Sequence, residues 1–310
     1  MEVFVTGGTG YLGRHLIPAL ESQGHRCTAP SSRELDLTQE GSLSRFDAGT
    51  FDMVFHLAAW TRAGTFCRTR GGSQWLVNQR LNTNVLAWWK ETQPRSKLIA
   101  FGTSVSYPKG VALKESNYLS GLPIEDFYAY AMTKRMLLVG LQSLAKEFGL
   151  KYAYFVPSTL YGPNYHVDGR PMHFIYDLIR KIIRGRELCE EVILWGDGNQ
   201  RRELVYIDDF VDWLLMLTPR IENDVINLGE GTEHSIREFA QIICEVIGFP
   251  FERIRFDTSK YVGLTSKVLD VSAAHRLAPD LRRTSLREGL MRTIAWMLDS
   301  KLYLAAQADW

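Results

Sequence analysis

Thr6-Gly7-Gly8-Thr9-Gly10-Tyr11-Leu12-Gly13 is the stretch that decides the fold, with Gly7, Gly10 and Gly13 in G-x-x-G-x-x-G spacing. The apolar run Glu2–Thr6 before it reads as a strand, and Tyr11–Gly24 after it reads as a helix. Glycines permit a tight turn and let the backbone approach a pyrophosphate, while the helix N-terminus presents the positive end of its dipole. A lone glycine motif says little. One that opens a strand–turn–helix unit at the head of a repeating pattern predicts a dinucleotide site, in which Gly7, Thr9, Gly10, Tyr11, Leu12 and Gly13 line the phosphates.

Outward from that stretch, the short apolar runs Arg26–Ala29, Phe51–His56, Lys97–Phe101 and Tyr152–Pro157 alternate with helical patterns at Leu76–Glu91 and Ile124–Phe148. This rhythm predicts an α/β fold, a Rossmann-type doubly wound parallel sheet. The second half is less regular. It shows a polar loop over Gly162–Arg170, a helix over Ile175–Gly185, and a strand at Val192–Trp195 before the turn Gly196-Asp197-Gly198-Asn199. A helix over Asp208–Leu217 and a strand at Val225–Leu228 return to the main sheet, and Ser235–Gly248 is amphipathic with a capping box formed by Ser235 and Glu238. The expected division is a dinucleotide-binding domain of residues 1–160 plus 204–230, and a smaller, mostly C-terminal α/β substrate domain of residues 161–203 plus 231–310.

Composition narrows the function. The 310 residues carry 36 Lys+Arg against 35 Asp+Glu, a net charge of +1, so the basic excess of a nucleic-acid binder is missing. No apolar run approaches the roughly 20 residues that span a bilayer, and Met1–Gly7 has no basic leader pattern, so no membrane partner or signal peptide is expected. Cys27, Cys67, Cys189 and Cys244 are scattered without a CxxC pair, which fits neither a metal site nor a disulfide scaffold. A cytoplasmic protein with free thiols and no metal is expected.

Sites for NAD usually carry an acidic residue after the second strand, where it meets the ribose hydroxyls. Here that stretch reads Thr28-Ala29-Pro30-Ser31-Ser32-Arg33. Hydroxyls and a guanidinium in place of a carboxylate suit a 2′-phosphate, so Ser32 and Arg33 point to NADPH in preference to NADH. Tyr130 and Lys134, four apart on a predicted helix, share one face. A lysine cation beside a phenol is expected to lower the phenol's pKa, so that it can exchange a proton with a carbonyl or alcohol. Thr103 or Ser104, after the strand Lys97–Phe101, is placed to share that proton.

Taken together, these pieces identify a resemblance to the extended short-chain dehydrogenase/reductases of the NAD-dependent epimerase/dehydratase family, which act on nucleotide sugars. It rests on the glycine loop, Asp36-Leu37, His56-Leu57-Ala58-Ala59, Tyr130-x-x-x-Lys134 and Pro157-Ser158-Thr159-Leu160-Tyr161-Gly162-Pro163. Downstream it continues through Trp195-Gly196-Asp197-Gly198, Arg202-Glu203, Tyr206-Ile207-Asp208-Asp209 and Asn227-Leu228-Gly229, and so spans nearly the whole chain. Ser32-Arg33-Glu34-Leu35-Asp36-Leu37, Tyr107-Pro108 and Ser266-Lys267-Val268-Leu269-Asp270-Val271 are similar to the branch that makes GDP-L-fucose, the GDP-4-keto-6-deoxy-mannose epimerase/reductases.

The resemblance implies roles by position. Thr103 is the hydroxyl of the catalytic set, Tyr130 the acid at the C4 oxygen, and Lys134 its tuner and the holder of the nicotinamide ribose. Asp36 and Leu37 meet the adenine, and Leu57, Ala58, Ala59 and Pro157 line the dinucleotide. His173 matches the epimerisation acid. Arg202 and Lys267 stand near the diphosphate and Trp195 near the sugar, with Ser104, Val105, Thr159 and Lys181 also assigned to the substrate's surroundings. The implied partner is a nucleotide sugar, GDP-linked, and the implied assembly is a homodimer through a four-helix bundle. One departure stands out: where the family's fucose branch has a cysteine base, this chain has Val105, which cannot move a proton. The simplest expectation is a 4-keto reductase whose 3,5-epimerisation is weakened or lost, with Cys67 as a replacement base to consider. A 4-epimerase holding NAD, and a non-catalytic dinucleotide sensor or assembly subunit, stand as the alternatives.

Overall fold

The structure, a computed structural model, describes residues 1–63, 65–168, 170–260 and 263–305. The chain forms two compact units: Met1–Pro157 with Phe210–Leu228 and Asp270–Leu281, and Ser158–Asp209 with Gly229–Leu269 and the residues from 282 on.

The first unit is built on six strands. They are β1 (Glu2–Thr6), β2 (Arg26–Thr28), β3 (Met53–His56), β4 (Lys97–Phe101), β5 (Lys151–Pro157) and the strand Asp224–Leu228. All neighbours pair in parallel, in the order β2-β1-β3-β4-β5 and then Asp224–Leu228. Val3, Phe4, Val5, Val54, Phe55, Leu98, Ile99 and Ala100 are all fully buried, the unbroken apolar runs of strands covered on both faces. The chain leaves β1 toward one edge, to β2, and then crosses to β3 on β1's other side. The order therefore reverses between β1 and β3, and ligands of such sheets bind beyond the strand ends at that point.

The first five helices along the chain are α1 (Tyr11–Ser22), the short α2 (Phe66–Thr69), α3 (Gly71–Thr92), α4 (Tyr128–Phe148) and α5 (Phe174–Glu187). Most expected boundaries shift by no more than two residues, and two helix starts shift by four or more. α3 starts five residues before Leu76, because Gly71-Gly72-Ser73 join the helix despite their turn propensity. α4 starts four residues after Ile124, which stays extended behind Pro123 and leads into a 3₁₀ turn at Glu125–Phe127.

In the second unit, Thr159–Tyr161 pairs with Leu204–Tyr206, Val192–Trp195 with Ile254–Asp257, and Arg201–Arg202 with His234–Ser235. The Ser235 capping box is present. The Glu238 amide donates to Ser235 Oγ at 3.1 Å, and the Ser235 amide donates to the Glu238 carboxylate at 2.6 Å. Residues 204–209 fall in this unit because Leu204–Tyr206 pairs with Thr159–Tyr161. Residues 270–281 fall in the first, where the Asn227 side chain donates to the carbonyls of Leu113 (2.7 Å) and Asp270 (3.0 Å). Both assignments differ from the sequence division, which contiguous spacing could not resolve.

Candidate active site

The glycine loop sits at the sheet's reversal point. Gly7 has φ +70°, and a Cβ there would lie 2.7 Å from the Ala58 amide nitrogen. A Cβ on Gly13 would lie 2.6 Å from Gly8 Cα. The loop therefore presses its bare backbone against the chain leaving β3, and no side chain can enter. No side chain caps the N-terminus of α1, and no acidic residue stands in its first turn. An uncapped helix end behind a bare loop fits a dinucleotide pyrophosphate.

The first carboxylate after β2, Glu34, accepts from the Ser31 amide and hydroxyl, both at 2.8 Å, and these bonds hold its pKa down. Ser32 and Arg33 are exposed. The Asp36 carboxylate accepts from the Thr38 hydroxyl (2.7 Å) and amide (3.0 Å), and Leu37 beside it is buried.

A buried polar seam on α3 fixes the chain that leaves β3. Gln74, Asn78 and Asn82 recur every fourth residue, so they share a face. Asn78 accepts the Trp60 amide at 2.9 Å and donates to the Trp60 carbonyl at 3.0 Å. Gln74 donates to Thr61 Oγ1 at 3.1 Å and to Cys67 Sγ at 3.6 Å. Asn82 Oδ1 meets His56 Nε2 at 3.0 Å, and His56 Nδ1 meets Thr6 Oγ1 at 2.8 Å. Thr6 Oγ1 in turn accepts the Ala58 amide at 3.2 Å. Burial lowers the His56 pKa to about 4, so the ring is neutral and links the ends of β1 and β3 as a donor–acceptor bridge. None of Thr6, Asn82, Asn78 or Gln74 was singled out from the sequence. The readable signal was the Gln-x₃-Asn-x₃-Asn spacing on a helix that is otherwise apolar on that face.

Thr103 lies just past β4, half-buried, and leads into the turn Ser104–Ser106, in which Ser104 is buried and Val105 half-buried. Tyr130 and Lys134 sit on α4 as expected. Ser106 Oγ donates to the Ala131 carbonyl at 3.3 Å, which fastens the turn after Thr103 to the helix beside Tyr130. The expectation of a lowered Tyr130 pKa is not met. Burial pushes the phenol up, with Cys67 and Tyr118 adding to the shift, and Lys134 does not offset them. Lys134 is only 5% exposed, and burial lowers its pKa to about 8. Its ammonium makes no hydrogen bond or ion pair among the described residues, which leaves its donors open to a bound ligand's hydroxyls. Cys67 is buried near Tyr130, with its thiol pushed up by burial.

The second unit holds the other expected residues. His173 is the N-cap of α5, and its pKa is held down by desolvation and by the neighbouring Lys267 and His166. Burial and the charge of Arg202 lower the Lys267 pKa to about 8. Arg202 donates to the carbonyls of Arg201 and Leu264, both at 2.7 Å. Lys181 pairs with Asp177 at 2.9 Å and lies 6.0 Å from the exposed Trp195 ring. These two residues line a cavity of about 630 Å³ together with Arg180, Arg184 and Lys260. Thr159 opens the strand that pairs with Leu204–Tyr206. Among the described residues, no cluster of His, Cys, Asp and Glu could hold a metal, and no helix is long and apolar enough to cross a membrane.

A parallel sheet with a glycine cradle at its reversal point, beside a helix carrying Tyr130 and Lys134, defines a Rossmann-type dinucleotide-binding enzyme. Residues 3–229 match the NAD dependent epimerase/dehydratase family, and the chain belongs to that family. It is 30% identical over 305 residues to GDP-L-fucose synthase 1 of Arabidopsis thaliana, covering 96% of this chain and 93% of that one. Its fold is similar to that of a GDP-L-fucose synthetase from Naegleria fowleri bound to NADP (TM-score 0.87, 24% identity, 99% of this chain and 95% of that one). It is also similar in fold to a GDP-mannoheptose C4 reductase from Campylobacter jejuni with NADP bound (TM-score 0.82, 23% identity, 96% of this chain and 98% of that one).

Proposed function

We propose that the protein is an NADPH-dependent reductase of the C4 ketone of a GDP-linked 4-keto sugar, acting without 3,5-epimerisation. The observation that carries the reading is the set Thr103, Tyr130 and Lys134 with the aliphatic Val105 two residues past Thr103. A phenol whose pKa is raised by burial is protonated at neutral pH, which is the form a ketone reduction consumes. Tyr130 donates its proton to the C4 oxygen and Thr103 shares the hydrogen bond. NADPH, when bound, supplies the hydride to C4. Gly7, Gly10, Gly13 and the N-terminus of α1 hold its pyrophosphate, Lys134 its nicotinamide ribose, and Arg33 its 2′-phosphate. Two structures of similar fold hold NADP, which supports that choice.

In the second unit, Arg202, Lys267 and Lys181 neutralise the substrate's diphosphate and Trp195 lies along the sugar nucleotide. The first unit is thus the dinucleotide half and the second the nucleotide-sugar half. His173 remains, but an epimerisation also needs a base, and Val105 takes no proton from carbon while burial keeps the Cys67 thiol protonated. The protein works as a homodimer through α3 and α4, whose Trp75, Leu76, Met136 and Val139 are exposed. Four free thiols suit a reducing, cytoplasmic setting. The deciding experiment is NADPH oxidation with GDP-4-keto-6-deoxy-mannose in heavy water, with NMR of the product. Turnover without deuterium at C3 or C5 is expected. Deuterium there would refute the loss of epimerisation, and NAD released from the denatured protein would favour a 4-epimerase.

A further inference from the structure

We infer that Tyr118 is a positioning residue for the Thr103 hydroxyl and that Arg135 locks it in place. The inference rests on the reading of Thr103, Tyr130 and Lys134 as the reacting set. Thr103 stands just past β4, at the head of an irregular stretch that runs to Gly121. Two fully buried phenols supply the hold. The Thr103 amide donates to Tyr118 Oη at 3.3 Å, Tyr118 Oη lies 3.2 Å from Tyr154 Oη, and Tyr154 donates to the Lys134 carbonyl at 2.7 Å. Tyr154's proton is committed to that carbonyl, so the proton between the two phenols is Tyr118's, and the chain of bonds has one direction. It runs from the backbone of Thr103 to the backbone of Lys134. The phenols fill the space under Gly102, where a Cβ would lie 2.5 Å from Tyr118 Oη and 2.8 Å from the Tyr154 ring.

Arg135, the next residue on α4, closes the arrangement. Its guanidinium is 5% exposed and donates to the carbonyls of Ser106, Ser120 (2.9 Å) and Gly121 (2.6 Å). It thereby ties both ends of the stretch from Ser106 to Gly121 to the helix that bears Tyr130 and Lys134. A planar fork of donors can bind three carbonyls in this way, and an ammonium cannot. Tyr118 and Arg135, with Tyr154 between the phenol and the helix, thus tie the backbone of Thr103 to the helix that bears Tyr130 and Lys134.

The test is a double-mutant cycle in the full-length protein, read as kcat for NADPH oxidation with GDP-4-keto-6-deoxy-mannose. Tyr118→Phe keeps the ring and removes the acceptor. It should lower kcat about tenfold with the KM for NADPH unchanged. In a Thr103→Ala background the same change should cost less than about twofold, because no hydroxyl is left to misplace. Equal losses in both backgrounds, or no loss in either, would overturn the inference. Hydrogen exchange at the Thr103 amide is a readout that needs no substrate: Tyr118→Phe should speed it about tenfold, and an unchanged rate would also overturn the inference. Tyr130→Phe separates the two layers. If that variant keeps the full rate, the catalytic reading fails and this inference with it. If it is inactive while the cycle is additive, only this inference fails.

Discussion

Lys134→Met should make the protein more stable and abolish its activity. Lys134 is 5% exposed on α4, its ammonium makes no hydrogen bond or ion pair among the described residues, and burial takes its pKa from 10.5 to about 8. At about 1.4 kcal/mol per pH unit, that gap corresponds to about 3 kcal/mol lost by keeping the cation out of water at neutral pH. Methionine has similar bulk and no charge, so the cost disappears. On a chain of this size the gain amounts to an increase of about 5 °C in Tm. The pH dependence fixes the sign. The folded state gives up this proton near pH 8 and the unfolded chain near 10.5, so the wild type recovers stability as pH rises through that window. The advantage of the variant should therefore be full at pH 7 and gone near pH 10.5. Thermal unfolding of the protein without added nucleotide, at pH 7 and at pH 10, measures it. NADPH should raise the wild-type Tm by more than the variant's, since the variant has lost a ligand contact. A variant less stable than wild type at pH 7 would refute the reasoning, because the ammonium would then be a stabilising group.

Val105→Cys should bring deuterium into C3 or C5 of the product in heavy water, provided His173 is intact, and NMR shows it directly. Arg33→Ala should raise the KM for NADPH about tenfold and leave that for NADH nearly unchanged, as steady-state kinetics with both cofactors will tell. Burial raises the Glu230 carboxyl pKa to about 7, with Arg283 3.6 Å away offsetting part of the shift. Because the folded state holds this proton more tightly than the unfolded chain, its contribution to stability is full below pH 4.5 and lost as pH rises through about 7. Glu230→Gln should flatten that fall, worth about 4 °C in Tm once the group's partial exposure is allowed for, and melting curves from pH 5 to 8 read it.

What could be read in advance was whatever depends on local pattern. The glycine loop needed only the steric demands of Gly7 and Gly13, and the strands showed as apolar runs such as Leu98-Ile99-Ala100. The Ser235 capping box needed four consecutive residues. The fold class followed from the alternation of those elements. The positions of Thr103, Tyr130 and Lys134 were legible from spacing, but the electrostatics of Tyr130 were not. Its direction of shift depends on how deeply α4 is buried and on Cys67 and Tyr118, which come from distant parts of the chain. Tyr118, Tyr154 and Arg135 escaped for the same reason: their partners lie 14 to 36 residues away, and no periodicity announces such bonds. The grouping of residues 270–281 with the first unit was not legible either, because it involves a side chain 43 residues upstream, Asn227.

That last segment has a consequence for how the protein is made. Each of the two units is assembled from three separate stretches of chain. The first unit has its glycine loop within the first 13 residues, yet it lacks a structural member until residue 281 has been synthesised. A chain cut at residue 157 or 228 would therefore carry an incomplete first unit.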